Sequence, residues 1–463
     1  MTESPAGVNR DLGSSGVNGG GVASTGHVTH EVLRKSLHIA GGLFAVTLRW
    51  LSWEVAAAVA AFATVANMAV LHRLAGRRVA RHPRGYDFGI VAYPFAVMVL
   101  ILLFRNRLEI AGTAWAILAF GDGFATLAGR FVRGPRLPWH PEKSWSGLAA
   151  FLVFGFVAGQ AIFVALQTIP TRLPVAAIVA AAVIAAAVAE TLPTRIDDNL
   201  TVPFASAFIL AVLASAEGWP QVHADAMTLP WLLANGVLAF AGYLAKSVTG
   251  SGMAGGFALG AIIILFSGWE LYVVLLAFFI VGTGLTRFGY RRKAERGLAQ
   301  EDAGRRGFSH AFANVGVSSI LALCSSGMPA EYAMPMWLAA AAALTTAAAD
   351  TAGSEIGQLW GRTAFMPLSL RRVPPGTEGA ISLQGTAAGV IAAIMVAVTA
   401  STVSLGRIDL QIVTVLAVSG VAGSLVESAI GSVNASRGMN IPNGVLNFIN
   451  TIAGACIAYA LVR

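Results

Sequence analysis

The sequence predicts an all-α fold, a polytopic membrane helix bundle of about fifteen transmembrane helices in two parallel-repeat halves. Three observations predict it. The chain is 56% hydrophobic and only 12% charged, with a mean hydropathy of +0.70, far from the balance of a soluble domain. Its apolar runs recur at close to the ~20 residues that cross a bilayer as helix, and they lack the alternation of barrel strands. One set of ionisable residues occurs twice along the chain, in the same order.

Residues 1–29, rich in Gly, Ser, Thr and Asn, hold no apolar run and read as a disordered tail, not as a signal peptide. A first membrane domain is expected over 30–220, with spans near 37–53, 54–71, 88–104, 110–127, 147–166, 174–190 and 203–216. A second is expected over 231–463, with spans near 231–247, 253–268, 270–287, 310–326, 333–349, 383–403, 410–427 and 443–462. Basic residues cluster at Arg34 and Lys35, from Arg73 to Arg84, from Arg130 through Arg133 and Arg136 to Lys143, from Arg287 to Arg306, and at Arg362, Arg371 and Arg372. With these spans all five clusters fall on one face, which the positive-inside rule makes cytoplasmic, as in a bacterial inner membrane. The net charge of +8 is then a product of topology and implies no nucleic-acid partner. Cys324 and Cys456 lie in apolar runs without partner or metal spacing, so neither a disulfide framework nor a zinc site is expected.

The internal repeat is read from four pairs of segments. "RKSLHIAGG" (34–42) and "RRGFSHAFANVG" (305–316) each place a basic pair ahead of a histidine, His38 or His310. "GDGFATLAGR" and "ADTAGSEIGQLWGR" each end an apolar run on an aspartate, Asp122 or Asp350, followed seven residues on by Gly129 or Gly357. "EKSWSG" and "TEGAISLQGT" set Glu142 beside Glu378, Ser144 beside Ser382 and Gly147 beside Gly385. Glu190 and Glu427 then each close the second helix after that and precede an Asn-bearing segment, in which Asn199 pairs with either Asn443 or Asn447. An even number of spans separates the His and Asp segments in both halves, so the repeat is parallel, not inverted. Ionisable residues at membrane helix ends are costly unless they face a polar cavity, and an acid at a helix C-terminus opposes the dipole. Two cytoplasm-facing active sites are the simplest reading.

In the first half, Asp122, Glu190, Asp197 and Asp198 are oxygen ligands suited to Mg²⁺, while Lys143, Arg130 and the nearby glycines suit phosphate oxygens. In the second, Asp350 and Glu355 are the candidate metal ligands, and Asp350, Glu378 and Glu427 the candidate catalytic acids. Lys143 aligns there with Ile381, so a phosphate cation must come from Arg362, Arg371 or Arg372. Glu142, Ser144, Gly147, Asn199, Arg362, Ser382, Gly385 and Asn443 complete the expected nucleotide-binding set. Carboxylates for a metal, cations for phosphate and an apolar bundle for a lipid tail point to phosphoryl or nucleotidyl transfer to a membrane-embedded alcohol.

"RKSLHIAGG", "GDGFATLAGR", "EKSWSG" and "DDNLTVP" resemble the dolichol kinase and phytol kinase family, membrane enzymes related to phosphatidate cytidylyltransferases. The segment from about Thr249 to Arg463, with "AADTAGSEIGQLWG", "PPGTEGAISLQGT" and "GSLVESAIGS", resembles the family containing phytyl-phosphate kinase. The resemblance implies a bifunctional enzyme that uses CTP or another nucleoside triphosphate, with Mg²⁺, to convert an isoprenoid alcohol to its monophosphate and then to its diphosphate. The rival enzyme reading is a cytidylyltransferase forming a CDP-lipid. From another class, a repeated bundle with intramembrane carboxylates could be a lipid transporter or flippase. Transporter repeats place their polar groups at mid-membrane on broken helices, whereas here nearly all fall at expected helix ends.

Overall fold

A computed structural model of the chain describes residues 20–71, 88–132, 134–191, 197–289, 305–377, 379–437 and 441–462. The described residues fall into two compact units, which divide between Ala211 and Val212, with Thr171–Leu173 counted to the second.

The first unit opens with α1 (Gly20–Leu43), which passes into a 3₁₀ turn (Phe44–Arg49), then α2 (Trp53–Ala66) and α3 (Phe88–Leu103). Next, α4 (Leu108–Ala116) widens into a π turn (Ile117–Asp122) and continues as α5 (Gly123–Phe131). A two-stranded antiparallel hairpin, β1 (Arg136–Leu137) and β2 (His140–Ser144), leads into α6 (Trp145–Leu166), followed by α7 (Val175–Thr191) and α8 (Asp198–Ser215), within which the units divide. The α4–α5 segment is the interior of this unit: Ala114, Ile117, Leu118 and Ala119 are fully buried. Against it lies α6, where Gly121 leaves room for the ring of Phe151, whose Cζ lies 3.0 Å from the place a Cβ would take.

The second unit contains α9 (Thr228–Leu244), α10 (Gly250–Arg287), α11 (Phe308–Ser325) and the 31-residue α12 (Ala330–Trp360). A three-stranded sheet of β3 (Ala364–Phe365), β4 (Arg372–Val373) and β5 (Ile381–Ser382), in the order β4-β3-β5, then leads to α13 (Leu383–Leu405), α14 (Leu410–Arg437) and α15 (Asn443–Val462). At its centre is α12, whose alanines from 339 to 343 and from 347 to 349 are all buried. Small residues bring the neighbouring backbones together: a Cβ at Gly389 would stand 2.8 Å from the Ala349 carbonyl oxygen, and one at Gly423 would stand 2.7 Å from Thr346 Cγ2. In lipid, where apolar tails compete for every apolar face, such close packing is what holds helices together.

Among the described residues nine helices are long and apolar enough to cross a membrane, and four more apolar helices are shorter. Four sequence expectations change. Asp122, Asp350 and Glu427, expected at helix ends, lie inside helical segments: Asp122 in the π turn between α4 and α5, Asp350 ten residues before the end of α12 and Glu427 ten before the end of α14. The spans expected at 253–268 and 270–287 are two arms of α10, joined without a loop at Gly268, whose φ of 84° and ψ of 175° are open to glycine and strained for other residues. The span expected at 37–53 is not one helix, because α1 stops at Leu43 and the chain tightens into the 3₁₀ turn, where the Arg49 guanidinium donates to the Ala165 carbonyl. Residues 20–29, expected in a disordered tail, extend α1 backwards; once one turn of a helix is fixed, each added residue gains a hydrogen bond without a new nucleation cost.

Candidate functional sites

In the first unit the site is organised by a helix cap. Ser144, the last residue of β2, accepts a hydrogen bond from Gly147 N at 3.1 Å and so fixes the start of α6. Its neighbour Lys143 donates to Glu190 Oε1, in the last turn of α7, and to Asp198 Oδ2 at 3.0 Å, on the first residue of α8. Burial alone would pull the Lys143 ammonium down, but the carboxylates of Glu190 and Asp198 outweigh it and hold it above its ordinary value. The π turn carries Asp122 to the same region, where Oδ2 pairs with Lys35 of α1 and lies 3.6 Å from His38 Nε2. Asp122 and Lys143 act on one another electrostatically, so the two ion pairs are parts of one cluster. A π turn inside an α-helix recurs at functional sites because it re-aims a side chain without breaking the helix.

Among the buried side-chain atoms of this unit without a hydrogen-bond partner in the protein, three belong to residues of the expected site or its histidine motif: His38 Nε2, Glu190 Oε2 and Asn199 Oδ1. An unpaired buried acceptor is costly, about 1–3 kcal/mol, unless a ligand or water completes it. His38 and Asn199 also line an apolar cavity of about 900 Å³ that runs between α1, the 3₁₀ turn, α2 and α3.

The other expected residues of this half are placed less centrally. Asp197 Oδ1 accepts from Asn199 N at 3.0 Å and from Asn199 Nδ2 at 2.7 Å, which orders the entry to α8 without reaching Lys143. Glu142 is exposed, and its carbonyl accepts from Arg136. Arg130 is half-buried in the last turn of α5. Arg133 lies outside the described residues.

The second unit uses the same cap. Ser382 accepts from Gly385 N at 3.2 Å at the start of α13. The agreement with the first unit extends along the helices. A Cβ at Gly129 would stand 2.9 Å from Ser144 Oγ, and one at Gly357 3.2 Å from Ser382 Oγ. Likewise a Cβ at Gly147 would stand 3.0 Å from the Ala125 carbonyl oxygen, and one at Gly385 2.6 Å from that of Gly353. Ala125 and Gly353 each follow their aspartate by three residues, and Gly129 and Gly357 by seven, so the register of the two contacts is the same.

The Asp350 carboxyl hydrogen-bonds with Glu427 and Ser424 of α14. Asn450 Nδ2 donates to Glu427 Oε2 at 2.5 Å. These acids face a cavity of about 650 Å³ lined also by Arg306, His310, Ser382, Asn443 and Asn447. Burial pulls the Arg306 guanidinium below its ordinary value, and the charge of buried Glu355 opposes that pull. Arg306 also donates to Thr286 Oγ1 at 3.0 Å. Arg362, Arg371 and Arg372 are exposed and do not line the cavity; Arg372 lies over the Phe365 ring, 5.7 Å from its centroid. Glu378 lies outside the described residues.

The structure thus brings in two cations that the sequence reading left among the topology charges, Lys35 and Arg306. Each belongs to the basic pair ahead of the repeated histidine, a signal that does not by itself separate a site residue from a positive-inside charge. Among the described residues no three of His, Cys, Asp and Glu converge as a metal cage. That does not exclude Mg²⁺, which keeps waters and is held by one or two carboxylates together with substrate phosphates. The unpaired Glu190 Oε2 fits that role.

A family model described as integral membrane protein DUF92 matches residues 233–453. The chain is 33% identical over 246 residues to an uncharacterized membrane protein of Synechocystis, covering 52% of this chain and 95% of that one. It is 30% identical over 263 residues to the chloroplastic protein VTE6 of Arabidopsis thaliana, covering 54% of this chain and 78% of that one. It is also 28% identical over 214 residues to phytol kinase 1 of the Arabidopsis thaliana chloroplast, covering 41% of this chain and 67% of that one. No solved structure matches.

Proposed function

Because the chain belongs to the DUF92 family of integral membrane proteins and is similar over part of its length to a phytol kinase, we propose that it is a bifunctional membrane kinase of isoprenoid salvage. The first unit converts an isoprenoid alcohol to its monophosphate, and the second converts the monophosphate to the diphosphate. The observation that carries this reading is the recurrence, in both units, of one contact register around an aspartate and a serine-capped helix, with Lys35 paired to the aspartate in the first unit and Arg306 lining the same cavity as the aspartate in the second.

In the first unit Lys143 leaves Glu190 and Asp198 to hold the phosphates of a nucleoside triphosphate, probed first as CTP. The freed carboxylates, Glu190 foremost, would hold Mg²⁺, which when bound neutralises phosphate charge. Lys35 pairs with Asp122 and holds it in place beside the alcohol. The alcohol oxygen attacks the γ-phosphorus, its proton is released, and the bond from phosphorus to the leaving nucleoside diphosphate breaks. In the second unit Arg306 meets the phosphate already on the substrate, and Asp350 and Glu427 supply the acidic side of the site. Both sites face the cytoplasm, where nucleotides are. The test is purified protein in nanodiscs with Mg²⁺, each nucleoside triphosphate in turn, and a panel of prenols and prenyl monophosphates, read by mass spectrometry. A gain of one phosphate at each stage is expected; a gain of CMP instead would make the enzyme a cytidylyltransferase, and no covalent product with any nucleotide would end the kinase reading.

A further inference from the structure

The cavity of about 900 Å³ in the first unit has a polar end and an apolar end. His38 of α1, Tyr93 of α3 and Asn199 of α8 line the polar end, where Tyr93 Oη donates to the His38 carbonyl at 3.2 Å and accepts from Trp115 Nε1 at 2.7 Å. The Tyr93 hydroxyl proton is therefore committed to the His38 carbonyl. His38 Nε2 and Asn199 Oδ1 are not committed: both atoms are buried and make no hydrogen bond in the protein, although His38 Nε2 lies 3.6 Å from Asp122 Oδ2. Along α1 and the 3₁₀ turn the lining descends from His38 through Gly41, Phe44 and Leu48 to Leu51, thirteen residues from His38 and roughly 20 Å at helical rise. Ala56, five residues beyond Leu51, and Ile101, eight residues along α3 from Tyr93, line the cavity away from the polar end and are 6% and 1% exposed. The side is open, because Leu37, Phe44, Trp50 and Val59 line the cavity while each is at least 58% exposed on an apolar surface.

We infer that this cavity binds the tail of the isoprenoid alcohol, entering sideways from the bilayer, with its hydroxyl hydrogen-bonded to His38 Nε2 and its length measured against Ala56 and Ile101. The chemistry selects that class of ligand. The long apolar wall takes an apolar tail, and at the polar end, which Arg34 also lines, a hydroxyl can donate or accept, so it satisfies the imidazole nitrogen in either tautomer. Because His38 Nε2 is 3.6 Å from Asp122, the hydroxyl held there is beside the acid cluster. His38 is on this view a positioning residue. The inference rests on the kinase reading for the choice of an isoprenoid, but the binding site is tested without catalysis.

A prenol carrying a diazirine near its tail end is photolysed with the protein in nanodiscs, in the absence of nucleotide, and the labelled residues are mapped by mass spectrometry. Labelling is expected to concentrate in 48–59 and 97–101 and to be displaced by unlabelled geranylgeraniol. His38→Ala should weaken that displacement roughly fivefold, the worth of one hydrogen bond. Ala56→Phe should lower the ratio of displacement by geranylgeraniol to displacement by geraniol about tenfold, and Ile101→Ala, which lengthens the same end, should raise it. Val188→Phe, on an exposed face of α7 away from the cavity, should leave the ratio unchanged. Labels spread over the lipid-facing helices and not displaced, or an unmoved ratio in folded Ile101→Ala, would overturn the inference. Displaceable labelling without phosphorylation would keep the binding site and sink the kinase, whereas phosphorylation with labels elsewhere would do the reverse.

Discussion

Replacing Lys143 by methionine separates what the ammonium does for folding from what it does for chemistry. Its Glu190 partner is 5% exposed and has one oxygen already without a partner, so the mutant would leave a buried carboxylate with no hydrogen bond at all. Removing one member of a fully buried pair costs about 3–5 kcal/mol. Here Lys143 is 28% exposed and Asp198 32%, so water reaches the vacated space and solvates Asp198. The expected loss is therefore about 2–3 kcal/mol. Changing Glu190 to glutamine in the same chain removes the stranded charge and should return most of that stability. It should not return activity, because the phosphate-binding cation is still missing; alcohol phosphorylation should stay down by about 10²–10³-fold or more. Stability is read by steric trapping or a denaturing-detergent titration, and activity by mass spectrometry of the monophosphate. If the double variant recovers activity along with stability, or the single variant loses neither, Lys143 is a structural strut and the first site has been misassigned.

Asp350→Asn should make the enzyme accumulate prenyl monophosphate from prenol, with diphosphate reduced at least about tenfold; equal loss of both products in folded, inserted protein would mean one composite site. Gly385→Ala places a methyl 2.6 Å from the Gly353 carbonyl oxygen, backbone against backbone, and should destabilise by about 1–3 kcal/mol in the same detergent titration. Ser382→Ala removes the cap of α13 and should cost about 1 kcal/mol without forcing helices apart. Single cysteines near Gly134 and Gly376, in a chain lacking Cys324 and Cys456, should be shielded from an impermeant thiol reagent in intact cells; labelling of either from outside would reverse the proposed sidedness.

Much of this was open to reading from sequence because it is local. The apolar runs show themselves by their length, and the pairing of Ser144 with Ser382 and of Gly147 with Gly385 by the repeat, although the sequence assigns these four to nucleotide binding and the structure uses the two serines as helix caps. What stayed hidden depends on contacts across the chain. Lys35 meets Asp122 from 87 residues away, and nothing in the basic pair at 34–35 distinguishes a site residue from a positive-inside charge. The same ambiguity set Arg362 ahead of Arg306: both sit beside an apolar helix, and only the packing of α11 and α12 selects the one that lines the cavity. The kink at Gly268 was hidden for a different reason, because hydropathy reports where a span is interrupted but not whether a loop or one glycine interrupts it.

Where the two units differ, the differences follow one direction. Seven residues after the capping serine the first unit has Phe151 and the second has Gly389, each facing the residue just before its aspartate, Gly121 or Ala349. Phenylalanine against glycine fills with side chain the space that the second unit removes by bringing backbones together. The first unit has its open volume in an apolar cavity beside α2 and α3, and its Lys143 is neutralised by Glu190 and Asp198. The second has its open volume on the polar side, with Arg306, Asp350 and Glu427 lining it, and an isoleucine where the lysine would be. On the proposed reading these are the needs of two acceptors. An uncharged alcohol is recognised mainly by its tail and brings no charge for the protein to match. A prenyl phosphate brings its own charge, so a second fixed lysine beside Arg306 would hold substrate and product alike without favouring the transition state. The substitution of Lys143 by Ile381 is then tied to the order of the two steps, and transplanting the lysine as Ile381→Lys should lower KM for the monophosphate while lowering kcat. A rise in both kcat and kcat/KM would break that link and leave the difference between the units without this explanation.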